Sequence, residues 1–372
     1  MSGNNWPALL AKLVAGTDLT ESDSRWAMDN IMDGRATDAQ IAGLILGLRA
    51  KGETAAEVTG LVAGMLDHAV ELHIPGPTLD VVGTGGDGSH TVNISTMAAI
   101  VCAAAGARVV KHGNRAASSA CGSADVLTEI GVAVELGAAG VSDCVATLGI
   151  GFCFAPTFHP AMRHVAAVRR ELGIPTVFNI LGPLANPARP SAQLVGCADA
   201  RFALIMADVL AHRGTAALLV RGRDGLDEVT TYGSTDVWDT TTCGCGGSAR
   251  TDGCVRRDLI DPAQLRIAAP AAGSLRGGDA ATNARITREL FAHPAKLPAI
   301  RDAVALNAAA ALVAWNAATT TGSATETVSG TTLYSRLEST LPRAFEAIDS
   351  GAAGALLDRW VGLSQRLART RR

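Results

Sequence analysis

A short apolar run that empties into glycines dictates most of what this chain can become. Residues 79–123 read LDVVGTGGDGSHTVNISTMAAIVCAAAGARVVKHGNRAASSACGS. Leu79, Val81 and Val82 predict a buried strand, and Gly83-Thr84-Gly85-Gly86-Asp87-Gly88 follows at once. Residues without Cβ let the backbone turn sharply and come close to a ligand. Successive N–H groups in such a loop form a concavity that suits anions. Asn93, Ser95 and Thr96 lead into a small apolar run, which predicts a helix starting near Ser95. Its N-terminus would add unpaired N–H groups and partial positive charge. A second apolar strand around Val109 and Val110 delivers Lys111, His112, Asn114 and Arg115. Two strand ends thus project polar residues at one sheet edge, where open α/β sheets bind ligands. A phosphate-rich ligand with a metal is the expectation. The loop is not a P-loop, which ends in Gly-Lys-Ser/Thr, and its glycines do not spell G-x-G-x-x-G. A plain tight turn is the simpler alternative, against which stand the strand before the loop and the NIST and helix behind it.

From Leu79 onward, apolar runs at 79–82, 107–111, 132–135, 150–154, 193–197 and 216–221 predict strands. Helical patterns lie between them, at 96–105, 123–130, 140–148, 160–172 and 199–212. This alternation predicts a mainly parallel sheet covered on both faces. Residues 1–73 instead read as helices, with capping-box pairs Thr37/Gln40 and Thr54/Glu57 and a weaker variant, Thr20/Asp23. Pro75-Gly76-Pro77 marks a hinge after them. Leu356, Trp360, Leu363 and Leu367 predict a C-terminal amphipathic helix.

The net charge of −3 lacks the basic excess of a nonspecific nucleic-acid binder. No apolar run reaches the roughly 20 residues that span a bilayer, and the N-terminus has no signal-peptide pattern. Cys102, Cys144, Cys153 and Cys197 sit in apolar surroundings and read as buried thiols, which fits a reducing cytoplasm. Lysine occurs only at 12, 51, 111 and 296, so Lys111 inside the Gly-rich region stands out.

Asp227-Glu228, in RGRDGLDEVT after the strand at 216–221, is the other candidate site. Adjacent carboxylates are usually a solvated loop pair. Behind a strand end and opposite a phosphate loop they suit Mg²⁺, which takes few carboxylates plus waters and substrate phosphates. Residues 152–173 hold His159, Arg163, His164, Arg169 and Arg170. Arg163 and Arg170, seven apart, share a helix face, whereas Arg169 points elsewhere. Most of these arginines read as a solvated face; one could pair bidentately with a substrate carboxylate. Cys243, Cys245 and Cys254 lack a clear fourth zinc ligand and read as thiols of a Gly/Ser/Thr-rich surface loop.

Taken together, GTGGD at 83–87, NIST at 93–96, KHGNR at 111–115, SSACGSAD at 118–125, FAPTFHPAMRHVAAVRRELGIPTVFNILGPLANP at 154–187 and DGLDE at 224–228 resemble the anthranilate phosphoribosyltransferase family, a tryptophan-biosynthesis branch of the nucleoside-phosphorylase-like phosphoribosyltransferases. GGDAATNA at 277–284 and LNAAAAL at 306–312 fit as well, so the resemblance runs nearly end to end. It implies an α/β fold in which a small all-helical domain, 1–73 with a returning segment near 158–190, joins a larger α/β domain over 74–372. It implies transfer of the 5-phosphoribosyl group from phosphoribosyl pyrophosphate to the amine of anthranilate, with release of pyrophosphate. The donor would meet Gly83, Gly86, Asp87, Thr91, Asn93, Ile94, Ser95, Thr96, Lys111, His112, Gly113, Asn114, Arg115, Ala116, Ala117, Ser118, Ser119 and Ser123. Gly83, Asn114 and Arg169 would hold anthranilate, with His112 and the loop around Pro156 at its mouth. Ser95, Asp227 and Glu228 would serve Mg²⁺, two ions per subunit, and no residue is implied as general acid or base. The resemblance further implies a homodimer through the helical domain, while the charge, the cysteines and the apolar run lengths point to a cytoplasmic chain with no nucleic-acid or membrane partner. Two rivals remain at this stage. A pyrimidine nucleoside phosphorylase would want a phosphate-only site, and the NIST, LDE and FAPTFHPAMR segments speak against it. A noncatalytic nucleic-acid-binding paralogue would lack the carboxylate pair or the arginine and show a basic face.

Overall fold

The structure, a computed structural model, describes residues 5–116, 120–242, 255–320 and 331–370. Four helices open the chain: α1 (Trp6–Val14), α2 (Glu21–Met32), α3 (Asp38–Lys51) and α4 (Ala55–Asp67). All three expected capping boxes form, at Thr20/Asp23, Thr37/Gln40 and Thr54/Glu57. Even the short Asp23 side chain reaches the Thr20 N–H, at 3.1 Å. α2 and α4 pack closely because Gly60 and Gly64 leave room. A Cβ at Gly60 would strike the Glu21 carbonyl, and one at Gly64 the Met28 side chain.

Strands and helices then alternate. They run β1 (Leu79–Gly83), α5 (Ile94–Ala104), β2 (Val109–Gly113), α6 (Ser123–Ile130), α7 (Ala138–Leu148), β3 (Ile150–Phe154), α8 (Ala155–Phe158), α9 (Arg163–Leu172) and α10 (Phe178–Leu184). There follow β4 (Ala192–Gly196), α11 (Ala200–His212), β5 (Ala216–Gly222), β6 (Thr235–Asp239) and β7 (Arg256–Ile260). The chain closes with α12 (Ala280–Ala292), α13 (Pro298–Thr319), α14 (Leu333–Asp349) and α15 (Ala352–Thr370). The sheet order is β3-β2-β1-β4-β5-β6-β7. The first five strands are parallel, and β6 and β7 are antiparallel additions. Between β1 and β4 the order of strands reverses, so the C-terminal ends of these two strands flank the crevice of a doubly wound sheet.

Residues 132–135 are not the strand that their apolar alternation predicts. β2 is paired on both sides, by β1 and β3, and the segment packs against α15 instead of joining the outer edge of β3. Val132 and Val134 are buried all the same, and Ala133 N donates to Ser364 Oγ on α15 at 3.0 Å. Sequence patterning missed β6 and β7. In β7, Arg-Arg-Asp-Leu-Ile forms a half-exposed edge strand without an apolar signature.

Alternate strand residues divide between two cores, as the two-residue period requires. Val81, Leu194 and Leu218 face α5 and the C-terminal helices. Val82, Val195 and Leu219 face a core shared by α1–α4 with Val165, Val168, Phe178, Leu181 and the α11 residues Phe202 and Met206. Residues after β3 therefore return to complete the N-terminal bundle. α13 is apolar and buried on every side from Ala303 to Ala314, with one polar exception, Asn307. A helix apolar all round belongs in the middle of a protein.

Candidate active site

A cavity of about 360 Å³ opens at the C-terminal ends of β1 and β2. β1 ends in Gly83, after which Gly85, Gly86 and Gly88 all take positive φ, and His90 does so without being glycine. Thr84 N donates to the Gly196 carbonyl at 3.0 Å, tying the loop to the end of β4. Gly85 N donates to Asp227 Oδ2 at 2.7 Å. A Cβ at Gly83 would meet the Asp227 carboxylate, and one at Gly196 its backbone. These two glycines are the space in which the acidic loop sits. The Asn93 side chain does not cap α5, whose first turn borders the cavity with Ser95 N turned to the acidic loop.

Asp227 and Glu228 are each 9% exposed. Ser95 N donates to Glu228 Oε1 at 3.1 Å. Burial, then the charge of Asp87, pushes the Asp227 carboxyl up to about 6. Burial and the adjacent Asp227 push Glu228 up to about 8, against the pull of Lys111. The acidic loop is held from behind by Asn307, which is fully buried. Its Oδ1 accepts from Val229 N at 2.9 Å, and its Nδ2 donates to Val229 O at 2.8 Å and Ala303 O at 2.9 Å. Asn307→Leu would strand both backbone groups of Val229 in the interior, and is expected to lower stability by about 2–4 kcal/mol. A urea midpoint equal to wild type would show that the loop stands without this clamp.

Lys111, at the end of β2, is 2% exposed. Its Nζ donates to the Val81 carbonyl and to Ser95 Oγ at 3.3 Å. Burial holds its pKa below the usual lysine range, while Asp80, Glu228 and Asp227 pull it back up. Asp80 lies wholly inside, accepting from His112 N at 3.2 Å and Asn186 Nδ2 at 2.9 Å; burial lifts it to about 6 despite Lys111. The His112 ring packs against that of His159, with centroids 5.3 Å apart. Its Nδ1 faces the Gly182 carbonyl at 3.0 Å, so that nitrogen carries the hydrogen. Burial, with His159 beside it, drives its pKa down to about 3 and leaves the ring neutral. Beyond it, the Ala116 and Gly122 N–H groups both donate to Asp125 Oδ2, at 2.8 and 2.9 Å, closing the loop into α6. Arg115 pairs with Asp125 at 3.2 Å and lies over the Phe154 ring.

Arg169 comes to the same cavity from the last turn of α9. Its guanidinium lies 5.7 Å from the Phe178 ring centre, and burial holds its pKa below the usual arginine range. Among the described residues it makes no ion pair. Arg163 and Arg170 are exposed on other faces of α9.

The structure thus brings to one cavity Gly83, Gly86, Asp87, Thr91, Asn93, Ile94, Ser95, Thr96, Lys111, His112, Gly113, Asn114, Arg115, Ala116, Ser123, Arg169, Asp227 and Glu228. Ala117, Ser118 and Ser119, and Cys243, Cys245 and Cys254, lie outside the described residues. Pro156 is exposed on α8 and does not border the cavity. Reasoning from sequence missed Gly196 and Asn307; the latter was visible as a lone amide in an alanine-rich apolar helix.

Residues 7–69 match the glycosyl transferase family, helical bundle domain, and residues 75–354 match the glycosyl transferase family, a/b domain. The chain therefore belongs to the glycosyl transferases that pair a helical bundle with an α/β sheet. It is 53% identical over 369 residues to the anthranilate phosphoribosyltransferase of Saccharopolyspora erythraea, a match covering 99% of this chain and 98% of that one. The crystal structure of anthranilate phosphoribosyltransferase from Thermus thermophilus superposes with a TM-score of 0.83 at 36% identity, covering 96% of this chain and 99% of that one. The Saccharomyces cerevisiae enzyme in complex with PRPP and Mg superposes at 0.82 with 26% identity, over 97% and 98% of the two chains. Within the glycosyl transferases, the chain belongs to the anthranilate phosphoribosyltransferase family.

Proposed function

We propose that this cavity transfers the 5-phosphoribosyl group of phosphoribosyl pyrophosphate (PRPP) to the amine of anthranilate, giving N-(5-phosphoribosyl)anthranilate and pyrophosphate. One observation carries the reading: a glycine loop with a helix N-terminus, a buried carboxylate pair and an arginine without an ion pair among the described residues all border a single cavity. The Gly83–Asp87 loop, the first turn of α5 and the residues from Lys111 to Ser123 receive the pyrophosphate and ribose phosphate, by N–H groups and by the Lys111 and Arg115 charges. Breaking the C1–O bond leaves negative charge on pyrophosphate, and fixed donors already aimed there stabilise it. Gly83, Asn114 and Arg169 orient anthranilate, with Arg169 as the fork for its carboxylate. The aryl amine is neutral at pH 7 and needs positioning rather than deprotonation. A neutral His112 at the cavity wall suits an uncharged ring.

Asp227, Glu228 and Ser95 are the residues that would hold Mg²⁺, and two ions per subunit are our reading. The donor set fits, because two buried carboxyls, both raised by burial and by neighbouring acidic charge, border the cavity together. No three His, Cys, Asp or Glu side chains form a closed cage among the described residues. That suits an ion which keeps waters and substrate phosphates as ligands. When bound, Mg²⁺ supplies positive charge at the departing pyrophosphate.

We read the helical domain as 1–73 with 158–190 returning to it, the α/β domain as 74–372, and the enzyme as a cytoplasmic homodimer through the helical domain. Exposed Val14 and Leu46 on that domain and the buried free thiols Cys102, Cys144, Cys153 and Cys197 support the last two points. Loss of anthranilate fluorescence in the presence of PRPP and Mg²⁺ tests the activity. A folded protein without turnover would sink this reading.

The raised carboxyls also link stability to pH. Their folded values, about 6 and about 8, lie above unfolded values of roughly 4. Their contribution is complete below pH 4 and is lost as pH rises through 6 and 8. In EDTA, wild type is expected to lose thermal stability relative to Asp227→Asn/Glu228→Gln between pH 5 and 9. Parallel calorimetric curves would rule the pair out as the source.

A further inference from the structure

Three stretches far apart in the chain meet along the wall of the donor cavity: residues 91–96, 120–123 and 278. Asn283, in the first turn of α12 and 2% exposed, joins all three. Its Oδ1 accepts from Gly278 N at 2.8 Å, and its Nδ2 donates to Asn93 Oδ1 at 2.9 Å. Asn93 Nδ2 in turn donates to the Cys121 carbonyl at 3.1 Å. Beside this relay, Gly277 N donates to His90 O, and Val92 N to Leu275 O, each at 2.9 Å. A Cβ at Gly277 would press on Asn283 Oδ1 and on the Thr91 carbonyl. The relay runs in one direction, and position 283 must both accept from a backbone N–H and donate to a side-chain oxygen. An amide does both, a carboxylate only the first. Asn93 borders the cavity, yet its oxygen and one of its N–H groups are committed to the protein. What it chiefly delivers is the position of the α5 N-terminus relative to residues 120–123.

We propose that Asn283 is a positioning residue of the donor site, holding the start of α5 and residues 120–123 through Asn93 in the arrangement that receives PRPP. The proposal rests on reading the cavity as the PRPP site. Asn283 meets no substrate itself, and Arg169 takes no part in the relay, so the effect is confined to the donor.

The first test is Asn283→Asp, which keeps the acceptor for Gly278 and turns an oxygen toward Asn93. The KM for PRPP is expected to rise about tenfold, as one buried hydrogen bond is lost, while the KM for anthranilate stays within twofold. The second is a cycle of Asn93→Ala, Asn283→Ala and the double variant. If the two amides act through one bond, the double variant raises the KM for PRPP no further than the worse single variant. An unchanged KM for PRPP in Asn283→Asp, equal rises for both substrates, or additive losses in the cycle would each overturn the proposal. Wild-type turnover is a separate measurement, and its absence would count against the cavity reading alone. In that case the rise in melting temperature on adding PRPP decides: Asn283→Asp must diminish it, and an undiminished rise overturns the relay.

Discussion

Asp227→Asn with Glu228→Gln is expected to lower kcat/KM for PRPP by about 10²–10³-fold at saturating Mg²⁺. That is the scale of removing a preorganised stabiliser of leaving-group charge. The replacements keep the oxygens that accept from Gly85 N and Ser95 N, so the loop retains its hydrogen bonds. They also remove two buried acids whose ionised forms the interior disfavours. The variant should therefore fold at least as stably as wild type near pH 8, which separates loss of chemistry from loss of structure. Its activation by Mg²⁺ should need higher concentrations. Steady-state rates across a magnesium series make the check, and wild-type rates with unchanged magnesium dependence would remove the pair from the metal site.

Arg169→Ala should raise the KM for anthranilate roughly 10- to 100-fold, the scale of a charge-assisted hydrogen-bonded pair, while the KM for PRPP changes little. Arg169→Lys should recover only part of the loss, since an ammonium cannot reproduce the planar fork. The site is prepared for the fork: Phe178 supports one face of the guanidinium, and among the described residues no carboxylate competes for it. An unchanged KM in Arg169→Ala would mean that another residue holds the carboxylate.

Local signals were read well from the sequence and distant ones were not. The capping boxes at Thr20, Thr37 and Thr54 depend on residues three apart, and each forms. β1, β4 and β5 were visible as apolar runs because helices cover both of their faces. The run at 132–135 is apolar too, but it is held by a hydrogen bond to Ser364 on α15 and stays out of the sheet, a long-range contact that local patterning does not reveal. β6 and β7 pair by hairpin geometry at an edge, where polar residues are tolerated. At the site, the glycine loop points to an anion only together with the strand before it and the NIST and helix behind it, and Asp227 and Glu228 are an ordinary acidic pair until their place after a strand end, opposite that loop, suits them to Mg²⁺. The hydrogen bond from Gly85 to Asp227 crosses 142 residues, and the Asn307 clamp on Val229 crosses 78. Periodicity cannot see such pairings. Asn307 nonetheless left a trace, since an amide in an otherwise apolar helix must be answering a buried backbone group.

The shared core of the N-terminal helices has a consequence for biosynthesis. Met28, Ile31, Leu44 and Leu61 are buried partly by α9, α10 and α11, and α11 ends at His212, about 145 residues after α4 ends at Asp67. At roughly 5–20 residues per second, a ribosome needs about 7–30 s to supply that cover. Throughout this interval the nascent bundle presents an unfinished apolar face to solvent. The bundle made first is completed only once α11 has emerged, and the other core waits longer still, for the helices as far as Trp360.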